Sequence, residues 1–484
     1  MLVILSGMTS AGLPSWTVSA VLINMLGQGM LLSFSTTLMP ALADPNSSIR
    51  ADLTTASYLS SIVGPAGVPG FFISSIFMDF FGRKIAHGLV IIPGLIGWTL
   101  IYYATNVTMI MIGRFLGGFT AGATVSLGAI AIGEYTSPKY RGMFLNLKTA
   151  AVCLGGMIVH ILGNFVTWRT VALCAVIPHI IAILIILTWP ESPSWLAGRQ
   201  EFERCEAAFY WLRGKDDTTF KELEELIHAQ MDRIKSSSMN STFKEKIIAF
   251  LTKFTRKDFL MPCFIILFAS ILLEMSGRHI FPAYALQIIE EITGSKAQSF
   301  YFTMCIDAII VVSALSSSIL IRMMNRRTLL FSTGFSAFFV LMTVCMYIFL
   351  ASRDIITKDT TVPIALFVLY FILVNLGCTP IPLALLGELY PLAHRGVGSA
   401  VSGVVMSLGV MLGLQLTPHL LVSIKVYGTF AVYGSVMGLA LLVLFFTLPE
   451  TKDRTLQEIE DYFNYGTFKK RSNQDEDATT KMVP

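Results

Sequence analysis

The chain is 484 residues long, 54% hydrophobic and 14% charged, with a formal net charge of +4. Soluble domains carry about 25% charged residues, and single cores stop growing at roughly 250–300 residues. The composition therefore excludes a soluble enzyme, a secreted disulfide scaffold and a disordered protein, and indicates an integral membrane protein.

A spanning helix needs about 20 mostly apolar residues. In chain order such runs fall at 16–40, 55–78, 86–105, 109–133, 143–166 and 170–189, then at 259–288, 297–321, 328–350, 362–386, 397–422 and 428–448. No basic stretch precedes the first run, which speaks against a cleaved leader. The pattern predicts an all-α membrane protein with twelve transmembrane helices in two six-helix bundles. Residues 1–195 form the first bundle and 259–465 the second. Between them, 196–258 holds 12 Lys or Arg and 11 Asp or Glu in 63 residues. The mixed charge and helical periodicity of 201–213 and 219–235 predict short surface helices there, a cytoplasmic helical linker. The polar tail 466–484 is expected to be disordered. The charges lie between apolar blocks rather than on one face, so no nucleic-acid partner is expected. The seven cysteines show no CxxC spacing, so neither a metal site nor a disulfide framework is expected.

Basic residues in short loops set the orientation. With a cytoplasmic N-terminus the inner loops carry Arg83, Lys84, Lys139, Arg141, Lys148, Arg322, Arg326, Arg327 and Arg395. The outer loops carry Arg50, Arg169, Lys296, Arg353, Lys358 and Lys425. Both termini and the linker are then cytoplasmic. The sequons at Asn46 and Asn106 face outward as candidate glycan acceptors, and the sequon at Asn240 faces inward.

An internal repeat divides the chain. EYTSPKYRG at 134–142 is matched by ELYPLAHRG at 388–396, and PESPSWL from Pro190 by PETKDRTL from Pro449. DFFGRK at 79–84 has a weaker counterpart in RMMNRR at 322–327. Two parallel six-helix repeats point to a secondary transporter with a mid-depth site between the halves. Repeated acid and base at the cytoplasmic mouth suit a gate whose ion pairs form in one state and break in the other. Its candidates are Asp79, Arg83, Glu134, Arg141, Glu191, Arg326, Glu388, Arg395 and Glu450. Gly82 permits a tight connection between two spans.

These motifs resemble the sugar-porter branch of the major facilitator superfamily, and within it the insect trehalose and glucose facilitators. Asp79–Lys84 resembles the signature between spans two and three, and Gly113, Arg114 and Glu134–Gly142 the signature of span four. Pro190–Leu196 resembles the signature after span six, Pro380, Ile381, Pro382 and Glu388 that of span ten, and Pro449–Lys452 the terminal one. The resemblance covers nearly the whole chain. It implies alternating-access transport of a small polar solute, a sugar such as trehalose or a hexose, across the plasma membrane. It implies no catalytic residue and no cofactor. Absence of a GxxxxGK[ST] loop agrees with transport without ATP.

The departures gather at the family's sugar-binding positions. Leu273 and Glu274 stand where two Gln precede Ser276 and Gly277, with Arg278 and His279 following. Thr149 stands for the usual Gln of span five. Asn375 replaces an acid, and Leu383 a Trp. Substrate contact is therefore assigned to Thr149, Glu274, His279, Asn375 and Leu383. Glu274 and Arg278, at i and i+4, are expected to pair on one helix face, either as a self-neutralised structural pair or as a polar substrate contact. Asp307 and His160 are weaker candidates. Two further readings stay open: a drifted member moving a non-sugar or proton-coupled solute, and a non-transporting sugar sensor.

Overall fold

A computed structural model describes residues 12–136, 138–215, 217–237, 257–357, 359–389, 395–452, 459 and 462–463. Among these residues the secondary structure is helical, with no strand. Ten helical runs are long and apolar enough to cross a membrane. Two of them are too long for one crossing. Leu53–Tyr102 has 50 residues and Val401–Thr447 has 47, which at 1.5 Å per residue is about 70–75 Å, more than twice the roughly 30 Å hydrocarbon thickness. Each contains one non-helical residue, Gly82 in the first and Lys425 in the second. A reversal at each gives twelve spans, as the apolar runs predict.

Span one is Gly12–Ser33 continued by Ser35–Ala43, and span two is Leu53–Ser61 continued by 63–81. Span three is 83–102, span four Val107–Tyr135, span five Pro138–Phe165 and span six Trp168–Ile186. Span seven is broken into Lys257–Met275 and Ile280–Thr293. Spans eight and nine are Lys296–Met323 and Arg326–Ser352. Span ten runs through Thr361–Leu373, a π-helical turn Val374–Cys378, and Pro380–Glu388. The last two spans are 395–424 and 426–447.

A helix at Pro193–Gly198 leads into the linker, whose helices Phe202–Arg213 and Asp217–Ser237 pack with it around a small core of Leu196, Ala197, Cys205, Ala208, Phe209 and Leu223. Arg199 donates to the carbonyls of Asp79 and Phe80, which holds this layer against the turn between spans two and three. This is the linker side of the molecule.

Apolar cores form within each half. One buried cluster spans Phe259 to Phe463, and separate clusters around Phe34 and Trp98, around Tyr135 and Trp189, and around Val90 and Leu127 fill the first half. Within the first half helices approach through small residues, as membrane helices do. A Cβ on Gly29 would lie 1.9 Å from the Val152 carbonyl oxygen, and one on Gly155 2.0 Å from that of Leu26, so spans one and five pack backbone to backbone. Across the halves, Gly64 of span two meets the backbone of Ser407 and Met411 in span eleven.

Candidate functional site

Span seven breaks at mid-depth, with 19 residues on the linker side and 14 beyond. Ser276 and Gly277 cause the break. Gly277 adopts φ +83°, a value that favours glycine. Neighbours satisfy the backbone freed there, as they must inside a membrane. Tyr370 of span ten donates to the Ser276 carbonyl at 3.1 Å, and the Phe281 amide donates to the Gly277 carbonyl at 2.9 Å.

The break changes the pairing expected for Glu274. Continuous helix would place Arg278 over it, but the helix ends at Met275 and the i, i+4 register is lost. His279 takes that place instead, with Nδ1 at 2.8 and 3.0 Å from the two carboxylate oxygens. Glu274 is 1% exposed and packs on span eleven, where a Cβ on Gly409 would lie 2.9 Å from its Cγ. Arg278 is left half-buried, with no hydrogen bond or ion pair to a described residue. Its charge acts on Glu274 and, across the half boundary, on Lys148 and Cys153 of span five. Lys148 Nζ donates to the Val125 carbonyl at 3.1 Å.

The remaining substrate candidates are spread around this boundary. Thr149 is buried beside Lys148. Asn375 is buried in the π-helical turn, with Nδ2 donating to the Phe371 carbonyl at 2.8 Å. The turn follows from its sequence: Thr379 donates five residues back to Val374, just before Pro380, which has no N–H to continue the ladder. Leu383 is half-buried on the segment beyond.

A second ion pair crosses the boundary nearby. His160 Nδ1 of span five lies 2.6 Å from an Asp307 carboxylate oxygen of span eight, and His160 Nε2 lies 2.9 Å from the Pro282 carbonyl of span seven. The side chains are 0% and 7% exposed. Sequence reasoning singled out both residues but did not pair them, since 147 positions separate them. It also missed the cradle of Arg114. This fully buried guanidinium donates to the carbonyls of Leu31, Leu59 and Ser60 and to Ser35 Oγ, stitching span four to spans one and two.

On the linker side the gate candidates form two matching clamps. Glu191 accepts the backbone amides of Arg83 at 2.6 Å and Lys84 at 3.2 Å, while Lys84 Nζ donates to the Leu187 and Trp189 carbonyls. Glu450 accepts the amides of Arg326 at 2.9 Å and Arg327 at 3.0 Å, while Arg327 donates to the Phe445 and Leu448 carbonyls. Each Glu directly follows a Pro at the end of a sixth span in its half, which is the signal that marks them. In the first half Arg83 also grips both oxygens of Glu134 at 2.8 Å, and Ser192 Oγ donates to Glu134.

For the side chains described, this pairing runs within each half rather than between halves. Asp79 is exposed, and its backbone carbonyl accepts from Trp195 and Arg199. The side chains of Arg141, Glu388 and Arg395 lie outside the described residues, as does Asn240. Asn46 sits exposed in a turn, and exposed Asn106 caps span four by accepting from the Met109 amide at 2.9 Å.

Comparison with known proteins adds three findings. The family described as "Sugar (and other) transporter" matches residues 29–463. A facilitated trehalose transporter Tret1 of Aedes aegypti is 27% identical over 408 residues, covering 84% of this chain and 49% of that protein. The Tret1 of Apis mellifera ligustica is 26% identical over 411 residues, covering 84% and 79%. The chain thus spans about half the length of the Aedes relative. Among solved structures, the proton:xylose symporter XylE bound to 6-bromo-6-deoxy-D-glucose aligns with a TM-score of 0.72 at 18% identity, covering 93% of this chain and 99% of that one. A partially occluded inward-open XylE from E. coli aligns with a TM-score of 0.74 at 15% identity, covering 92% and 100%. Likeness at that identity establishes the major facilitator fold.

Proposed function

The chain belongs to the sugar (and other) transporter family, and we propose that it carries a small polar solute of the sugar class across the membrane by alternating access, without ATP. The observation that carries this reading is the family match over residues 29–463. The two six-helix halves support it, because their boundary holds ionisable groups at mid-depth, where transporters of this architecture bind solute. The relatives described as facilitated trehalose transporters support trehalose or a hexose as the starting class.

Facilitated movement is favoured over proton coupling. Arg114 is satisfied by three carbonyls and a hydroxyl, and span one carries no carboxylate to trade a proton against it. We place the linker and both termini in the cytoplasm on the bias of basic loop residues, and the protein in the plasma membrane.

The test is counterflow exchange by the purified full-length chain in proteoliposomes, across a panel of hexoses, trehalose and acidic and aminated sugars. Exchange of at least one member is expected. A flat panel from folded, correctly reconstituted protein would overturn the transport reading and favour a sensor.

A further inference from the structure

We propose that the half boundary at mid-depth binds an anionic sugar, a hydroxylated monocarboxylate such as a uronate or aldonate, with Arg278 as the carboxylate-binding residue and Lys148 as the second cation. This rests on the transport reading above and narrows its solute.

The argument starts from the turn at Ser276–His279. It takes Arg278 out of register with Glu274 and gives both Glu274 oxygens to His279. The one carboxylate on this stretch of span seven is therefore buried and occupied. Arg278 stays half-buried, with no hydrogen bond or ion pair to a described residue, where spans five and seven approach: His160 Nε2 of span five lies 2.9 Å from the Pro282 carbonyl, and the charge of Arg278 acts on Lys148 and Cys153. Lys148 has a neutral carbonyl as its hydrogen-bond acceptor. The next acid toward the far side, Asp307, is closed off by His160.

Charge at this depth is expensive and marks function unless it is compensated. Arg278 and Lys148 bring two cations to this depth, and the one carboxylate on this stretch of span seven, Glu274, is already held by His279. A carboxylate on the solute supplies the partner that Arg278 lacks among the described residues. The planar guanidinium offers paired donors that match a carboxylate edge on. The rest of the solute is a sugar by family, and Thr149, next to Lys148, adds a hydroxyl on the same stretch of span five.

The experiment compares labelled glucuronate with glucuronamide, its neutral isostere, in counterflow by the full-length protein. Glucose, trehalose and glucose 6-phosphate complete the panel. Glucuronate is expected to exchange at least about tenfold faster than glucuronamide, as one charge-assisted contact warrants. Arg278→Gln should remove that preference, Arg278→Lys should keep part of it, and Lys148→Gln should reduce it less. Lys148→Gln also serves if Arg278→Gln fails to fold, as judged by its elution and melting profile.

Equal exchange of glucuronate and glucuronamide, unchanged in Arg278→Gln, overturns the anion assignment while leaving sugar transport in place. Preference for glucose 6-phosphate overturns the carboxylate. If nothing exchanges, the transport reading falls, and melting of the purified protein with each ligand decides the binding claim separately. Stabilisation by glucuronate, lost in Arg278→Gln, sustains it; equal melting with glucuronate and glucuronamide overturns it.

Discussion

The carboxylate of Glu191 occupies the space a side chain on Gly82 would need: a Cβ there would lie 2.4 Å from Glu191 Oε2. Gly82 has φ +83° and ψ 179°, a region essentially closed to other residues and costing about 1–3 kcal/mol when forced. Gly82→Ala should therefore lower the melting temperature of the detergent-purified protein, through both backbone strain and displacement of the clamp. An unchanged melting temperature would show that the turn does not depend on this fit.

Arg83 grips Glu134 with two parallel bonds, which a lysine has no fork to reproduce. The side chains are 16% and 18% exposed, so solvent screens the pair, and a double-mutant cycle over Arg83 and Glu134 should give a coupling of about 1 kcal/mol or less. Arg83→Lys should behave like Arg83→Ala in counterflow rather than like the parent. Full activity of the lysine variant would mean that charge alone, not the bidentate geometry, positions span four.

His160 and Asp307 form a buried pair between the halves. Removing one partner of such a pair costs about 3–5 kcal/mol, because the other charge stays buried, whereas replacing both by apolar groups is often neutral. Asp307→Leu should thus be less stable than the His160→Leu, Asp307→Leu double variant. Thermal unfolding of the three proteins provides the check, and strictly additive losses would argue against direct coupling.

Glu274→Gln should keep one hydrogen bond to His279 but lose the charge. Because Glu274 is 1% exposed and packed on Gly409, the main loss should be in stability, together with a change in the charge balance around Arg278. Comparing melting with the ratio of anionic to neutral sugar exchange separates the two effects. A variant with wild-type melting and wild-type exchange would show that the pair does neither.

Cys205 tests the linker. It is 0% exposed and its thiol donates to the Pro193 carbonyl. Burial raises its pKa from about 9 to about 11. The thiolate is the reactive form, so at pH 8 roughly one part in a thousand is reactive, and alkylation should rise about tenfold per pH unit toward pH 11. The raised value also means that its contribution to stability is present below about pH 9 and lost as pH climbs through about 11. Peptide mass mapping should find native Cys205 alkylated at least 100-fold more slowly than in denaturant at pH 8; equal rates would mean that the linker core is open.

Apolar run length revealed the spans, including the two reversals inside the helical runs of 50 and 47 residues, because charge at Arg83 and Lys84 and the polar Lys425 interrupt the apolar stretches. The repeat likewise marked Glu191 and Glu450 before their partners were known. What escaped was anything depending on where a helix stops. The Ser276–Gly277 pair was a visible stop signal, yet a helical register carried through it led to Arg278 as the partner of Glu274. The pairing of His160 with Asp307 and the cradle of Arg114 depend on tertiary packing between distant spans, to which local spacing is blind. The π-helical turn before Pro380 was similarly hidden, since proline predicts an interruption but not its form.

The matching clamps carry a mechanical consequence. Glu134, Glu191 and Glu450 are each engaged inside their own half on the linker side, so swinging one half against the other there leaves those bonds intact. Each clamp stiffens its bundle into a lever. The polar contacts that such a swing must sever include His160 with Asp307 and, nearer the far side, Ser57 with His419 at 3.3 Å. Resistance to reorientation is therefore concentrated around spans five and eight and spans two and eleven, and substitutions there should change turnover speed more than those at the clamps.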